Sequence, residues 1–493
     1  MTARNQRKTK TKPRLTPRRS LRAVIQDLLT PAVWKQAHQK RQKARRQKSS
    51  RWATQPLVLV LLFMTWCNGD SQAERFEIAR AYCQTAWLAK RRNCGKTVGG
   101  FETALKRLPM VVLRTFAAAI LPLLVGRLGA LWLYQGFVPI GCDGSRVTCP
   151  NTKELQKRLG AAGKEKSAPS LWVTALVHLR WGVPLTWWFG RSNASERSHL
   201  LQMLCTLPGN ALLVADAGYV GFQLAHGLME KDVKFLLRMC SNATLYQEIG
   251  VGLEHYREGL VWYWPSKKDA EAGELPLRLR LIRIRAKRKK DDVWLLTNVL
   301  DEKRLPLALA GQFYRWRWQS EGCFKAYKHT IKKVKLVSRS LRLVHREAEG
   351  SWLALQLLLA QGVLAQKHRA EQKEASKQQG ATEKAKQTTE PQKMPAAEAE
   401  AKPQQKPDTG LYSPRAIIIA IRQEMSGPRK RGAPHYGEKL TKARGEERPG
   451  RTSAKASREW PRPKKHKPPK PPKLLMMTED QKAVVAGLCD KAA

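Results

Sequence analysis

The stretch FYRWRWQSEGCFKAYKH, Phe313 to His329, fixes the reading of everything around it. Wound as one helix at about 100° per residue, it carries Tyr314, Arg317, Glu321 and Lys328 within roughly 60° of one another. Phe313, Trp316, Phe324 and Tyr327 cluster about a quarter-turn away, a flank suited to packing on a sheet. One carboxylate among cations suits a divalent metal beside a phosphodiester: Glu321 ligates the ion while Arg317 and Lys328 hold phosphate oxygens. The plainer reading is an amphipathic helix with an i, i+4 ion pair between Arg317 and Glu321. The rest of the chain decides between them.

Upstream, two further carboxylates end apolar runs. FVPIGCDGS (137–145) reads as a strand closing on Asp143, and ALLVADAGY (211–219) as a strand closing on Asp216. Asp216 is the single charge between Ala211 and Ala225, so it needs a partner or a metal. Between them SLWVTALVHLRWGVPLTWWFG reads as a hairpin turning at 181–184, and ERSHLLQMLCTL as a helix. VGFQLAHGLMEK (220–231) reads as a helix and VKFLLRM (233–239) as a strand. This rhythm predicts a mixed α/β sheet with its site at the carboxyl ends of strands. Three carboxylates converging there suit two cations about 4 Å apart, Mg²⁺ by preference and Mn²⁺ as a substitute.

The set CDGS with Asp143, VADAGY with Asp216, and YRWRWQSEGCFKAYK with Tyr314, Arg317, Glu321 and Lys328 resembles a DDE transposase of the bacterial insertion-sequence class marked by a Tyr-Arg-Glu-Lys signature, the insertion sequence family four type. The signature spacing of two, three and six residues is intact, and the resemblance covers residues 136–365. It implies an RNase H-like mixed sheet flanked by helices and Mg-dependent cleavage at transposon ends, followed by 3′-hydroxyl strand transfer into target DNA. Asp143, Asp216 and Glu321 would be both the catalytic and the metal-binding residues, with Tyr314, Arg317 and Lys328 on DNA phosphates. It further implies double-stranded DNA as partner, a homodimer when two ends are bound, and a nucleoid-associated cytoplasmic protein of a prokaryotic cell. The alternatives are a non-catalytic DNA-binding protein and an RNase H-like nuclease derived from a transposase.

A net charge of +51 over 493 residues selects polyanions, nucleic acid foremost and anionic membrane second. Nine cysteines with no Cys-x-x-Cys pair argue against a disulfide framework or zinc ribbon and for a reducing compartment.

The expected organisation begins with a basic disordered arm at 1–50, which holds sixteen Lys or Arg against one acid, and a helical N-terminal region at 51–135. The RNase H-like catalytic core opens at 136–240, is interrupted by a β-rich insertion at 241–300, and resumes with the signature helix at 301–366. A disordered basic low-complexity tail occupies 367–493. Leu57 to Phe63 is too short to span a bilayer, and Leu108 to Phe137 is interrupted by Arg114, Pro122, Gly126, Arg127 and Gly129, so no membrane partner is expected. In the insertion, LRLRLIRIR (277–285) alternates except at Leu281-Ile282. A bulge there would put Arg278, Arg280, Arg283 and Arg285 on one phosphate-facing side. VWYWP (261–265) offers rings for stacking on an unpaired base.

Overall fold

A computed structural model describes residues 19–43, 52–88, 94–161, 167–241, 243–247, 259–271, 273–286, 292–387, 412–427, 431–445 and 471–490. In chain order the first helices are α1 (Leu21–Leu28), α2 (Pro31–Lys43), α3 (Thr54–Trp66), α4 (Gln72–Ala86), α5 (Val98–Arg107) and α6 (Met110–Leu128). Strand β1 (Val138–Thr148), α7 (Lys153–Leu159), β2 (Ser170–His178), β3 (Val183–Gly190), α8 (Glu196–Met203), β4 (Ala211–Ala215), α9 (Phe222–Glu230) and β5 (Lys234–Arg238) follow. Then come β6 (Thr244–Gln247), β7 (Gly259–Tyr263), α10 (Lys267–Glu271), β8 (Leu277–Ile284), β9 (Val293–Thr297), α11 (Leu307–Trp316) and α12 (Trp318–Lys325). The chain closes with α13 (Leu341–Gln387), α14 (Pro414–Met425), α15 (Tyr436–Lys442), β10 (Lys473–Met476) and α16 (Glu479–Asp490).

The chain divides into two compact units, residues 1–127 with 346–447, and residues 128–345 with 448–493. The first is helical. Helix α3 is a core helix, buried from Leu57 to Phe63 on all sides, which explains its unbroken apolar run. Pro109 separates α5 from α6, because proline removes a helix donor and restrains the residue before it. The segment Met110–Trp132 is long and apolar enough to cross a membrane, and 44% of its apolar window is buried.

Two expectations for this unit are corrected. Residues 21–43 form α1 and α2, where a disordered arm was expected. Apolar Leu21, Ile25 and Leu28 lie on one face of α1 and are fully buried, and Ser20 caps its N-terminus; local helical spacing thus prevails over the strongly basic composition. Likewise α13 runs on to Gln387 and α15 forms within the expected disordered tail, while α14 falls on AIIIAIRQEM (416–425), the one tail segment whose sequence suits a short helix. Ile417, Ile418 and Ile421 of α14 and Tyr436 of α15 are buried. The remainder of the arm, 1–18 and 44–50, and the tail segments 388–411 and 446–470 lie outside the described residues.

The second unit is built on one ten-stranded sheet in the order β10-β6-β7-β8-β9-β5-β4-β1-β2-β3. Strands β1, β2 and β3 are antiparallel, while β4 and β5 run parallel to β1. This is the mixed sheet the sequence predicts. The expected insertion does not stand apart from it: β9 pairs antiparallel with β5 and extends the same sheet. On that sheet α11 packs through Leu309, Ala310, Phe313 and Trp316 against Leu212, Val214, Leu236, Ile282 and Leu295. Phe313 and Trp316 of the quoted stretch therefore pack on the sheet as their spacing predicts, and Phe324 and Tyr327 are buried.

The tail expectation fails here too. β10 adds parallel to β6, and α16 brings Val485 with Met477 onto Trp262. Four residues suffice for a strand when an existing edge supplies the hydrogen-bonding partners.

Candidate catalytic site

Asp143 is not at a strand tip, as its sequence suggested, but mid-way along an eleven-residue strand, opposite Ala175 of β2. The parallel pairing of β1 with β4 stops at Gly141↔Val214. Asp143 and Asp216 each lie two residues past that last pair, and Asp216 continues β4 in extended conformation (φ −81°, ψ 173°). The two aspartates thus both follow the carboxyl end of the parallel pair.

Helix α12 crosses that face. A Cβ on Gly141 would lie 2.3 Å from Ser320 Oγ and 2.5 Å from Leu179 Cδ2, so the missing side chain is what lets the helix approach. Two pleats along, Lys328 Nζ donates to Ser145 Oγ at 2.6 Å. Ser320 and Lys328 therefore bracket Asp143, with Glu321 between them in the chain.

The quoted stretch is not one α-helix. It runs as α11, a hinge at Arg317, α12 and a π-helical turn at Ala326–Thr330. The wider π turn resets the angular position of Lys328, and such turns recur at functional sites.

Arg317 links the carboxylates. Its Nη1 lies 3.6 Å from Asp216 Oδ2 and 3.6 Å from Glu321 Oε1, while Arg238 Nη1 lies 3.6 Å from Asp216 Oδ1. Asp216 Oδ1 also accepts from Ala217 N at 2.9 Å. Arg317 lies over the rings of Tyr314 (5.6 Å) and Trp318 (5.0 Å), and Arg238 over Tyr314 (6.0 Å). Tyr314 is buried, with two guanidiniums over its ring. Burial, then the charge of Asp216, pushes its phenol pKa up.

Asp143 is electrostatically strained. Burial raises its carboxyl to about 6, the charges of Glu196 and Glu321 add to this, and the Gly144 amide and Arg317 oppose it. Burial lowers the Lys328 ammonium, with Asp143 opposing.

Sequence reasoning missed Glu196 and Arg238. Glu196 begins α8 on the opposite face of β1, in the space a Gly144 side chain would take: a Cβ there would be 2.6 Å from its Oε1. The pair of glycines flanking Asp143 was the available signal, since each marks a close approach. Arg238 ends the apolar strand β5 next to β4, which makes it a partner for Asp216.

The arginine face predicted for β8 is not formed as expected. Its register against β9 steps evenly from Arg280↔Thr297 to Ile284↔Val293, with no bulge at Leu281-Ile282. Arg278 and Arg280 share a face with Ile282, and Arg283 points the other way, paired with Asp292 at 2.6 Å. Arg280 is buried and donates to the carbonyls of Leu305 (3.0 Å) and Asp301 (3.4 Å), so it ties down a loop. The cause is that both faces of β8 are covered, which makes Leu281 and Ile282 simultaneously core. Arg278 is exposed; Arg285 follows the strand.

As donors, the three carboxylates suit a hard divalent cation. Their arrangement does not: among the described residues no three His, Cys, Asp or Glu are gathered to hold one metal ion, and a guanidinium bridges two of the expected ligands.

Residues 140–357 match the family model of the transposase DDE domain. The matched stretch contains Asp143, Asp216, Tyr314, Arg317, Glu321 and Lys328, and it supports a DDE transposase. None of the curated proteins compared matches the chain. Among solved structures, the chain resembles a piggyBac transposase synaptic complex with hairpin DNA at 10% identity, over 68% of this chain and 73% of that one, with a TM-score of 0.35.

Proposed function

We propose that the protein is a DNA transposase of the Tyr-Arg-Glu-Lys insertion-sequence type, with β1 to β5 as an RNase H-like core. It would cut at the ends of its element and join the freed 3′-hydroxyl to target DNA. The observation that carries this reading is the ion-pair link of Glu321 to Asp216 through Arg317, with Asp143 and Asp216 each two residues past the last β1–β4 pair, all inside the transposase-matching stretch.

In this reading Asp143, Asp216 and Glu321 would be the residues to hold a divalent metal, and the chemistry such an ion would supply is Lewis-acid activation at the phosphodiester. Lys328, fixed on Ser145, sits beside Asp143 and offers one cation to a bound phosphate. Arg317 and Arg238, stacked on Tyr314, supply a second pair of cations on the Asp216 side. No covalent link between protein and DNA is required.

Asp216→Ala or Glu321→Ala should abolish Mg²⁺-dependent nicking of DNA carrying the element's ends, and leave binding of that DNA within a few-fold. Retained nicking in both variants refutes the assignment. A second reading, a DNA-binding protein without catalysis, is favoured by the guanidinium lodged among the carboxylates. It predicts that neither variant differs from wild type in any divalent-metal-dependent property.

A further inference from the structure

We propose that the cavity between α8, the start of α9 and the ends of β6 and β7 is a nucleotide site. It takes one nucleoside 5′-monophosphate unit, with the base among aromatic rings and the phosphate at Arg197. This goes beyond the transposase reading and does not depend on it.

The cavity holds about 500 Å³, within the range of small-molecule sites, and all its lining belongs to the sheet-bearing unit. Phe222, Tyr246, Tyr263 and Trp264 line it. They meet edge-to-face, Phe222 with Tyr263 at 5.6 Å and Tyr246 with Trp264 at 5.8 Å. Such a pair uses one face of one ring, so ring surface is left for a planar guest. The run VWYWP thus divides: Val261 and Trp262 are buried, while Tyr263 and Trp264 are half-buried and line the cavity. On the rim, Leu201 of α8 is 40% exposed.

Charge selects the guest. Among the described lining residues Arg197 is the single charged side chain. Its Nε donates to the Gly218 carbonyl at 2.8 Å, which fixes the guanidinium. A Cβ on Gly221 would lie 3.2 Å from its Nη1, and Gly221, the N-cap of α9, supplies no side-chain cap. A cation is thus held against the positive end of a helix, where an anion relieves both. A bare phosphate would leave the rings unused, and an uncharged ring would leave the guanidinium unused. A base joined to a phosphate satisfies the two together, and stacking accepts every base because each has a π-face. Helix α8 lies on the face of β1 opposite α12, so the cavity is not reached from the side on which α12 carries Glu321.

The test is isothermal titration calorimetry of the full chain, with a metal chelator present. The titrants are 2′-deoxyadenosine 5′-monophosphate, deoxyadenosine, deoxyribose 5-phosphate and a short single-stranded oligodeoxyadenylate. The base-plus-phosphate unit should bind about tenfold or more tightly than either fragment. Arg197→Gln and Trp264→Ala should each weaken it about tenfold. Leu201→Glu, which sets a carboxylate one helical turn from Arg197 at an exposed position, should abolish it. Binding of the monophosphate identifies free nucleotide as the source; binding of the strand alone, with the same dependence on Arg197 and Leu201, identifies an unpaired strand. Deoxyribose 5-phosphate binding as tightly as the nucleotide, or nucleotide and strand binding indifferent to Arg197→Gln and Leu201→Glu, would reflect the overall positive charge and overturns the proposal. Absence of binding by both nucleotide and strand overturns it too. If Trp264→Ala does not fold, Leu201→Glu decides. Because no divalent ion is present, these outcomes are independent of the nicking measured in Asp216→Ala and Glu321→Ala.

Discussion

At the scale of single residues, Asp143 is where the site's electrostatics can be measured. Its carboxyl is raised by burial to about 6 from an ordinary 3.8. A raised folded-state pKa means that the native state holds the proton longer than the unfolded chain does. The resulting stabilisation is complete below about pH 4 and lost as pH rises through about 6. Asp143→Asn, which keeps the acceptor for the Gly144 amide, should remove that dependence and stabilise the metal-free protein at pH 7 by on the order of 1–3 kcal/mol. Chemical denaturation at pH 4, 5, 6 and 7 checks it, and parallel curves for the two proteins would contradict it. Arg280 gives a contrasting case. Arg280→Ala strips hydrogen bonds from the carbonyls of Leu305 and Asp301 and should cost about 1–3 kcal/mol, with a much smaller cost for Arg278→Ala at its exposed position. In sequence the two arginines are indistinguishable, because alternation shows that they share a face and not whether the face is covered.

At the scale of elements, the pairing of β1 with α12 is the joint on which the site turns. Gly141→Ala would force a Cβ into Ser320 and Leu179 and should destabilise the sheet-bearing unit by about 1–3 kcal/mol. For a unit of this size that lowers the melting temperature by roughly 2–4 °C per kcal/mol. A melting temperature equal to wild type would show that the helix has room. Much of this joint was legible beforehand. Apolar runs ending on Asp143 and Asp216 marked neighbouring strands, and the aromatic flank of the signature stretch marked its packing side. The hinge at Arg317 and the π turn were not legible, since every residue from Phe313 to His329 is compatible with a plain helix. Glu196 was hidden for a different reason: an acid in the first turn of a helix is already explained by the helix dipole.

At the scale of the molecule, charge and edge control dominate. Binding to DNA should weaken steeply with salt, the logarithm of affinity falling linearly with that of salt concentration at a slope set by the phosphates neutralised. Fluorescence anisotropy between 50 and 300 mM KCl measures it, and a flat response would contradict the reading of the +51 charge. Removing residues 472–493 should bare the β6 edge and Trp262, raising dye binding to apolar surface and promoting aggregation. A soluble, dye-silent truncation would show that β10 and α16 are dispensable. That segment escaped the sequence reading because KLLM follows a proline-rich basic run and acquires strand character only by docking on β6.

The parallel pairing of Lys473–Met476 with Thr244–Gln247 joins positions more than two hundred residues apart along the chain. Contacts of such long range form after loop closure has already been incurred, and they slow folding. Sealing of this edge is therefore expected to be the slow, late phase of refolding. In native-state hydrogen exchange, the amides of β6 and β10 should open well before those of β1 and β4.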